Sequence, residues 1–111
     1  MKAGEIVLMV MPQTDGVIKK RPVVLLKQMP PYNDWLVAGV STQLHQEVAG
    51  FDFVIKDTDT GFSATRLKAS SLIRLGFLDV TEEKSFRGTI GTIDTKTVKL
   101  LLERLANYLL G

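Results

Sequence analysis

The chain has 111 residues, of which 45% are hydrophobic and 23% charged, and its formal net charge is +2 at pH 7. This composition excludes a disordered chain, and residues 1–111 form one compact domain by length, since domains usually have about 100 to 200 residues. The absence of cysteine excludes disulfides and thiolate sites, and the single histidine, His45, argues against a zinc centre or a Ser–His–Asp triad. We therefore expect no metal and no other cofactor.

Short apolar runs separated by turn-forming residues predict a series of strands. The predicted strands cover residues 6–11, 22–28, 35–40, 51–55, 71–80 and 85–90. Turns rich in Pro, Gly, Asn and Asp are predicted at residues 12–16, 29–34 and 56–61. In the fourth strand Asp52 faces away from its apolar neighbours. A strand about every ten residues favours an antiparallel, barrel-like sheet over βαβ units.

The C-terminal segment changes to a helical period. Its apolar residues fall on one face of a helix, and they are Val98, Leu101, Leu102, Leu105 and Leu109. Asp94 or Thr95 is the predicted N-cap and Gly111 the stop. The fold class is therefore mainly β, a small β-barrel with a C-terminal α-helix.

The sequence also predicts a soluble, cytoplasmic protein. No apolar run reaches the roughly 18 residues that a membrane-spanning helix needs. Lys2 and Glu5 lie where a secretory signal peptide would be apolar. A chain without cysteine suits a reducing compartment.

Basic residues gather in two segments, one around the second predicted strand and one between Gly61 and Leu78, where no acid occurs. They are Lys19, Lys20, Arg21 and Lys27 in the first segment, and Arg66, Lys68 and Arg74 in the second. If the segments adjoin in space, they form a positive face suited to phosphates or to an acidic peptide. The alternative is an ordinary solvated surface.

Several short segments, taken together, resemble the PemK/MazF family. They are Gly4-Glu5-Ile6-Val7-Leu8, Thr14-Asp15-Gly16, Lys20-Arg21-Pro22-Val23-Val24-Leu25, Val40-Ser41-Thr42-Gln43, Ser71-Leu72-Ile73-Arg74-Leu75 and Gly88-Thr89-Ile90-Gly91-Thr92. The resemblance covers residues 4–111. It implies an SH3-like barrel, usually a homodimer, that is the toxin of a bacterial type II toxin–antitoxin pair. Such toxins cut single-stranded RNA without a metal and are silenced by the acidic tail of an antitoxin.

The resemblance assigns the site residues. Arg21 matches the family's catalytic arginine, Ser41 its phosphate-binding threonine, and Arg74 an arginine that serves the phosphate or acts as an acid. A guanidinium is permanently charged and grips a phosphate with parallel hydrogen bonds, and a hydroxyl can hold a phosphate oxygen. The residues expected to bind RNA are Lys19, Lys20, Thr42, Gln43, Arg66, Lys68 and Ser71.

The general base stays open. Some family members carry an Asp two residues after the second arginine, where this chain has Gly76. Asp15 is the nearest acid in the first loop and completes the set of expected catalytic residues. An unperturbed Asp has a pKa of about 3.9, which is a poor match for a base working near neutral pH. A turn role explains Asp15 equally well.

Plain structural alternatives exist for the other candidates. In these alternatives, Arg21 only flanks a strand and pairs with Asp15 or Glu47, and Ser41 only stabilises a turn. His45 fits a surface loop. Trp35 fits the core or an interface, or else stacks on a base.

Competing functions also exist. A catalytically weak barrel would bind an acidic partner peptide, using an apolar rim near Met29, Tyr32 and Trp35. A gyrase poison of the CcdB type fits poorly, because that group ends in an aromatic-rich tail and this chain ends in Tyr108–Gly111.

Overall fold

A six-stranded antiparallel sheet in the order β4-β5-β3-β2-β1-β6, followed by a C-terminal helix, makes up the molecule. The structure is a computed structural model that describes residues 1–12 and 15–111. The strands are β1 (Glu5–Pro12), β2 (Ile18–Met29), β3 (Asp34–Ser41), β4 (Phe53–Ile55), β5 (Ser71–Thr81) and β6 (Phe86–Thr92). The helices are α1 (Phe62–Thr65) and α2 (Thr95–Leu110), with 3₁₀ turns at Leu44–Gln46 and Glu83–Ser85. The mainly β class predicted from the sequence is confirmed.

The predicted strands are all present, and two of them start more than one residue away from the predicted position. β2 begins at Ile18 because Lys19 and Lys20 pair with Met11 and Val10, so that the β1–β2 ladder runs past the apolar run. β4 begins at Phe53, since the N–H groups of the two residues before it donate to the Val48 carbonyl in a turn. Helix α1 was not predicted, because a single turn has no apolar period. Thr14, part of the turn predicted after β1, lies outside the described residues.

Apolar side chains are buried on both faces of the sheet. One cluster packs between the sheet and α2, and it contains Ile6, Val24, Leu26, Ala38, Ile55, Ile73, Leu75, Ile93, Val98, Leu101 and Leu105. The other contains Val7, Met9, Val23, Leu25, Trp35, Val37 and Phe86. Trp35 belongs to this core, and its Nε1 donates to Glu83 Oε1 at 3.1 Å. Burying each large aliphatic side chain stabilises the fold by about 1.5 to 3 kcal/mol, so these clusters hold the sheet together.

The C-terminal helix begins and ends as the sequence predicts. Asp94 is the N-cap and accepts a hydrogen bond from the Thr97 N–H, while Gly111 is the C-cap. The buried stripe is shorter than predicted, because Leu109 is 73% exposed. The buried residues of α2 are Val98, Leu101 and Leu105, so the last turn of the helix has none. Among the described residues, no helix has both the length and the hydropathy to cross a membrane.

The sheet ends at β4 on one side and at β6 on the other. Helix α1 lies against β6 at Gly91, where an added Cβ would collide with the carbonyl oxygens of Ala64 and Thr65. Glycine at this position lets the helix backbone cover the edge strand. The strand that carries the first apolar run, β1, lies next to this edge.

Candidate active site

The register of three neighbouring strands aligns the principal candidates. Val23 of β2 pairs with Gly39 of β3, and Gly39 in turn pairs with Arg74 of β5. Arg21 and Ser41 each lie two residues beyond the Val23–Gly39 pair, at the end of the β2–β3 ladder. Because side chains alternate between faces along a strand, these residues share one face of the sheet. Residues far apart in the chain are thus brought to one end of three adjacent strands.

A bulge in β5 shapes this end of the sheet. Gly39 pairs with Arg74, but Ala38 pairs with Leu78, so the segment 75–77 has no partner in β3. Within it, the ring of Phe77 lies directly on Gly39, since a Cβ added there would be 2.8 Å from Phe77 Cδ1. The glycine therefore lets an aromatic ring close the floor beside Arg74.

A pocket of about 410 Å³ opens over this row. Its lining residues are Met11, Arg21, Pro22, Val23, Gly39, Val40, Ser41, Gln43, Gln46, Arg74 and Phe77. The pocket combines an apolar floor with guanidinium, hydroxyl and amide groups. Among the described residues that line it, none is a carboxylate or a histidine. Its chemistry suits an anionic ligand that carries hydrogen-bonding groups.

The two arginines keep their charge available for such a ligand. Within residues 1–12 and 15–111, the ion pairs are Lys84–Glu82 and Lys99–Glu103, and both are exposed at the surface. Arg21 therefore does not pair with Asp15 or Glu47, as the plain alternative supposed. Two guanidiniums at one mouth repel each other, and an anion placed between them relieves that repulsion.

Ser41 is half-buried at the end of β3, and its hydroxyl is already used as an acceptor. The Gln43 N–H donates to Ser41 Oγ at 3.0 Å, which is the local turn that the alternative supposed. A hydroxyl accepts and donates at the same time, so the hydroxyl proton remains available to a ligand oxygen. The turn also directs Gln43 to the pocket.

Asp15 lies in the loop between β1 and β2 and is absent from the pocket. Residues 15–17 are exposed, and Asp15 Oδ1 accepts the Val17 N–H at 3.0 Å. This is an Asx turn, as the turn interpretation of Asp15 predicted. The structure does not bring this carboxylate to the arginines.

The candidates for RNA binding separate into different regions. Lys19 shares the face of Arg21, whereas Lys20, one residue on, is on the opposite face by strand alternation. Gln43 lines the pocket and Thr42 is exposed beside it. Ser71 is only 2% exposed, and its Oγ donates to the Ala69 carbonyl at 2.8 Å, so the structure does not present its hydroxyl at the surface.

The basic segments do not merge into one positive face. Arg66 ends α1, which lies over Gly91, and Gly91 pairs with Ile6 of β1. Lys19 pairs with Met11 at the far end of that strand. At about 3.3 Å per residue, Ile6 and Met11 are separated by about 16 Å along β1. Arg66 and Lys68 do not line the pocket, and Arg74 alone of the second segment does.

The apolar rim expected to hold a peptide is also displaced. Tyr32 is 82% exposed in the β2–β3 turn, at the other end of β2 from Arg21. A groove of about 540 Å³ there is lined by Gln28, Tyr32, Asn33, Asp34, Glu82, Glu83 and Lys84. Its acids do not suit an acidic peptide, and Trp35 is in the core. The basic pocket and this rim are separate surfaces.

Sequence reasoning missed several residues of the pocket and its frame. Gln46 falls three residues after Gln43 in a 3₁₀ turn, where such positions eclipse, and this spacing was the available signal. The sequence did not indicate Phe77 or Met11 as pocket residues. Phe77 reaches the pocket through the bulge in β5, and Met11 through the hairpin of β1 and β2. His45, between the two glutamines, is exposed and does not line the pocket.

Asp52 is a buried acid that accepts hydrogen bonds from backbone N–H groups. It is 4% exposed, and its carboxylate accepts the N–H groups of Val48 at 2.9 Å and of Leu75 at 3.0 Å. Arg104 Nη1 donates to the Asp52 carbonyl at 2.6 Å. An acid inside an apolar strand was the sequence signal, and it indicates a buried acceptor rather than a ligand group.

Comparison with known proteins identifies a family. Residues 2–109 match the family model described as PemK-like, MazF-like toxin of type II toxin-antitoxin system. The match covers nearly the whole chain and includes every residue of the pocket. No curated protein matches the chain significantly.

Proposed function

This chain belongs to the PemK-like, MazF-like family of toxins from type II toxin–antitoxin systems, and we propose that it is an endoribonuclease that cleaves single-stranded RNA without a metal. The observation that carries the proposal is the convergence of Arg21, Ser41 and Arg74 on one pocket. These residues come from three strands, and the family match covers all of them.

The proposed reaction uses the RNA's own nucleophile. The ribose 2′-oxygen loses its proton and attacks the adjacent phosphorus, and the bond to the 5′-oxygen of the next nucleotide breaks. One product then ends in a 2′,3′-cyclic phosphate, and the other begins with a 5′-hydroxyl, because the leaving 5′-oxygen takes a proton from water. Negative charge builds on the non-bridging oxygens during the attack, so fixed positive groups at those oxygens lower the barrier.

The pocket residues divide these tasks. Arg21, on β2, holds the phosphate and stabilises its developing charge. Ser41 donates a hydrogen bond from its hydroxyl to a non-bridging oxygen. The oxygen of this hydroxyl already accepts the Gln43 N–H. Arg74 supplies the second positive charge from β5, which is separated from β2 by β3.

The proposed substrate is a single strand, because its unpaired bases can present their edges to the pocket. Gln43 and Gln46 present amide groups to it, which can pair with the edges of an unstacked base. A base in a duplex keeps those edges engaged in pairing. Gln43 and Gln46 are therefore the proposed source of sequence preference.

The proposal removes Asp15 from the role of general base, because its carboxylate accepts the Val17 N–H away from the pocket. With no carboxylate or histidine among the described lining residues, the 2′-proton passes to solvent hydroxide. Such a reaction is slow near neutral pH and accelerates as the pH rises.

The deciding experiment incubates purified protein with mixed-sequence single-stranded RNA in EDTA and identifies the product ends. Cyclic phosphate termini support the proposal. The variant Arg87→Gln, which removes an exposed arginine away from the pocket, should cleave as the wild type does. Product ends of another kind, or no cleavage by pure wild-type protein at alkaline pH, contradict it.

A second candidate function is a weak enzyme that mainly binds its partner. The pocket that carries two arginines and no carboxylate favours it, because an acidic peptide fills such a site as well as a phosphate does. The family implies an antitoxin as partner, and we propose that an acidic segment of this antitoxin occupies the pocket. Retained partner binding without detectable cleavage would favour this candidate.

We also propose that the chain forms a homodimer in the cytoplasm. The last turn of α2 supports self-association, since Tyr108, Leu109 and Leu110 are 70%, 73% and 87% exposed. Apolar side chains in consecutive exposed positions favour a covering partner. Light scattering at two concentrations tests the dimer, and a monomer mass at both would refute it.

A further inference from the structure

We propose that Asp52 is a positioning residue that clamps the two walls of the pocket together. This inference rests on the proposed function, because it assigns to Asp52 the geometry that the reaction needs. One wall is the segment 42–48, which carries Gln43 and Gln46. The other is the bulge 75–77, which follows Arg74 directly.

The clamp consists of hydrogen bonds from one carboxylate to both walls. Asp52 Oδ2 accepts from Val48 N–H at 2.9 Å, and Asp52 Oδ1 accepts from Leu75 N–H at 3.0 Å. The β4–β5 ladder ends at the pair of Phe53 and Ile73, and Leu75, two residues further along β5, donates its N–H to the Asp52 carboxylate instead of to a strand. A single side chain therefore satisfies backbone groups that are far apart in sequence.

Asp52 is itself held from two further directions. Its own N–H donates to the Val48 carbonyl at 2.9 Å, and Arg104 Nη1 of helix α2 donates to its carbonyl at 2.6 Å. The residue is 4% exposed, so water does not compete for these bonds. The clamp thus ties the pocket walls to the core helix.

A carboxylate is required because both partners are donors. In Asp52→Asn the amide nitrogen faces one of the two N–H groups, and one of the two bonds is lost. The wall on that side is then released. Since Arg74 adjoins Leu75, and Gln46 lies two residues from Val48, the pocket residues on that wall lose their fixed position.

The effect is expected in turnover rather than in substrate capture. Misplacing a group by about 1 Å can lower the rate about 100-fold, because the transition state demands more exact geometry than binding does. We expect Asp52→Asn to lower kcat about 10- to 100-fold while KM changes by less than about threefold. The substrate probe is mixed-sequence single-stranded RNA in EDTA.

The matched control is Asp94→Ala. It removes another carboxylate that accepts a backbone N–H, at the cap of α2, outside the pocket. It should lower overall stability and leave kcat unchanged. If both variants lower kcat equally after correction for unfolded protein, Asp52 is only a structural residue and the positioning role is refuted.

Hydrogen exchange tests the clamp without relying on catalysis. We expect the amide of Val48 or of Leu75 to exchange at least about tenfold faster in Asp52→Asn than in Asp94→Ala. Unchanged exchange at both amides overturns the clamp. If wild-type protein does not cleave RNA, the proposed function and the catalytic consequence fail together, whereas the exchange result still decides whether Asp52 holds the walls.

A second variant covers the case in which Asp52→Asn does not fold. Arg104→Gln removes the guanidinium that holds the Asp52 carbonyl and leaves the carboxylate in place. It should show the same faster exchange and lower kcat, to a smaller extent. Lys99→Gln, an exposed position on the same helix, is its control and should change neither. Equal results for the two variants would overturn the proposal.

Discussion

Arg21 of β2 and Ser41 of β3 each lie two residues beyond the last pair of the β2–β3 ladder, which is formed by Val23 and Gly39. They share one face of the sheet and line the same pocket as Arg74. Ser41 accepts a backbone N–H, and in the part of the chain that the structure describes Arg21 forms no ion pair. The pair therefore presents a hydroxyl proton and a permanent charge to one ligand. Several measurable consequences follow from this arrangement.

Replacing Arg21 with glutamine should separate catalysis from partner binding. Cleavage of single-stranded RNA should fall about 100- to 1000-fold, because a positioned donor to the transition-state charge is lost. Affinity for an acidic partner peptide should fall by far less, since Arg74 and Lys19 remain on the same side. Initial rates in EDTA and titration calorimetry measure the two effects. Unchanged cleavage in Arg21→Gln removes this residue from the mechanism.

The position of Gly76 allows a general base to be added. Nothing lies within 4 Å of a Cβ built there, and the residue is exposed in the bulge that follows Arg74. In the wild type, log kcat should rise with pH without levelling between about pH 6 and 9, because hydroxide takes the 2′-proton. Gly76→Asp should be faster near pH 7 and should flatten this profile.

The control for that experiment is Gly76→Asn, which has nearly the same size and no titrating group. It should retain the slope of the wild type. If the wild-type profile already levels off near neutral pH, another group acts as the base and the proposed route for the proton is wrong.

Gly39 should be intolerant of any side chain. A Cβ at this position would be 2.8 Å from Phe77 Cδ1, so the ring must move off the pocket floor. Gly39→Ala should lower the free energy of unfolding by about 1 to 3 kcal/mol, as overpacking of a filled site does. Urea denaturation measures it. Gly76→Ala, in open space, is the matched control and should change stability far less.

The N-cap of α2 should give a pH-dependent stability. Hydrogen bonding from the side chain and the backbone N–H of Thr97 lowers the pKa of Asp94 below 3.8. A carboxyl whose pKa is depressed in the folded state stabilises above its unfolded pKa, and the contribution disappears as the pH falls through the folded value. Asp94→Ala should therefore lose about 1 kcal/mol near pH 7.

Asp94→Asn keeps the cap without the charge. The stability difference between wild type and Asp94→Asn should be constant from pH 7 to pH 5 and should shrink below about pH 3.8 as the carboxyl protonates. Thermal unfolding at a series of pH values measures it. A difference that grows on acidification would contradict this assignment.

Removing the distant basic residues should leave RNA cleavage unchanged. Neither Arg66 nor Lys68 lines the pocket, and the α1 turn that precedes Arg66 lies over Gly91, which pairs with Ile6, five residues along β1 from the partner of Lys19. The double variant Arg66→Gln with Lys68→Gln should keep kcat/KM within about twofold at the salt concentration of the cell. A loss similar to that of Arg21→Gln would show that the substrate extends across both regions.

The elements were predictable because their causes are local. Short apolar runs bounded by turn residues specify the strands, and the spacing from Val98 to Leu105, with Asp94 before it, specifies the helix and its cap. The start of β2 was predicted late, because Lys19 and Lys20 are strand residues only through pairing with β1. Helix α1 was missed, since one turn has no period to read.

For the site, the residues by themselves determined the candidates, and the fold decided which of them meet. Guanidinium and hydroxyl groups at strand ends mark Arg21, Ser41 and Arg74 as chemically able, and the family resemblance assigns them their roles. Whether they converge depends on the register of β2, β3 and β5 and on the bulge at 75–77. The same register moves Lys20 to the other face and leaves Asp15 in its turn. The physical reason is that side-chain chemistry and periodicity are local properties of the chain, whereas proximity is set by long-range pairing and packing between strands.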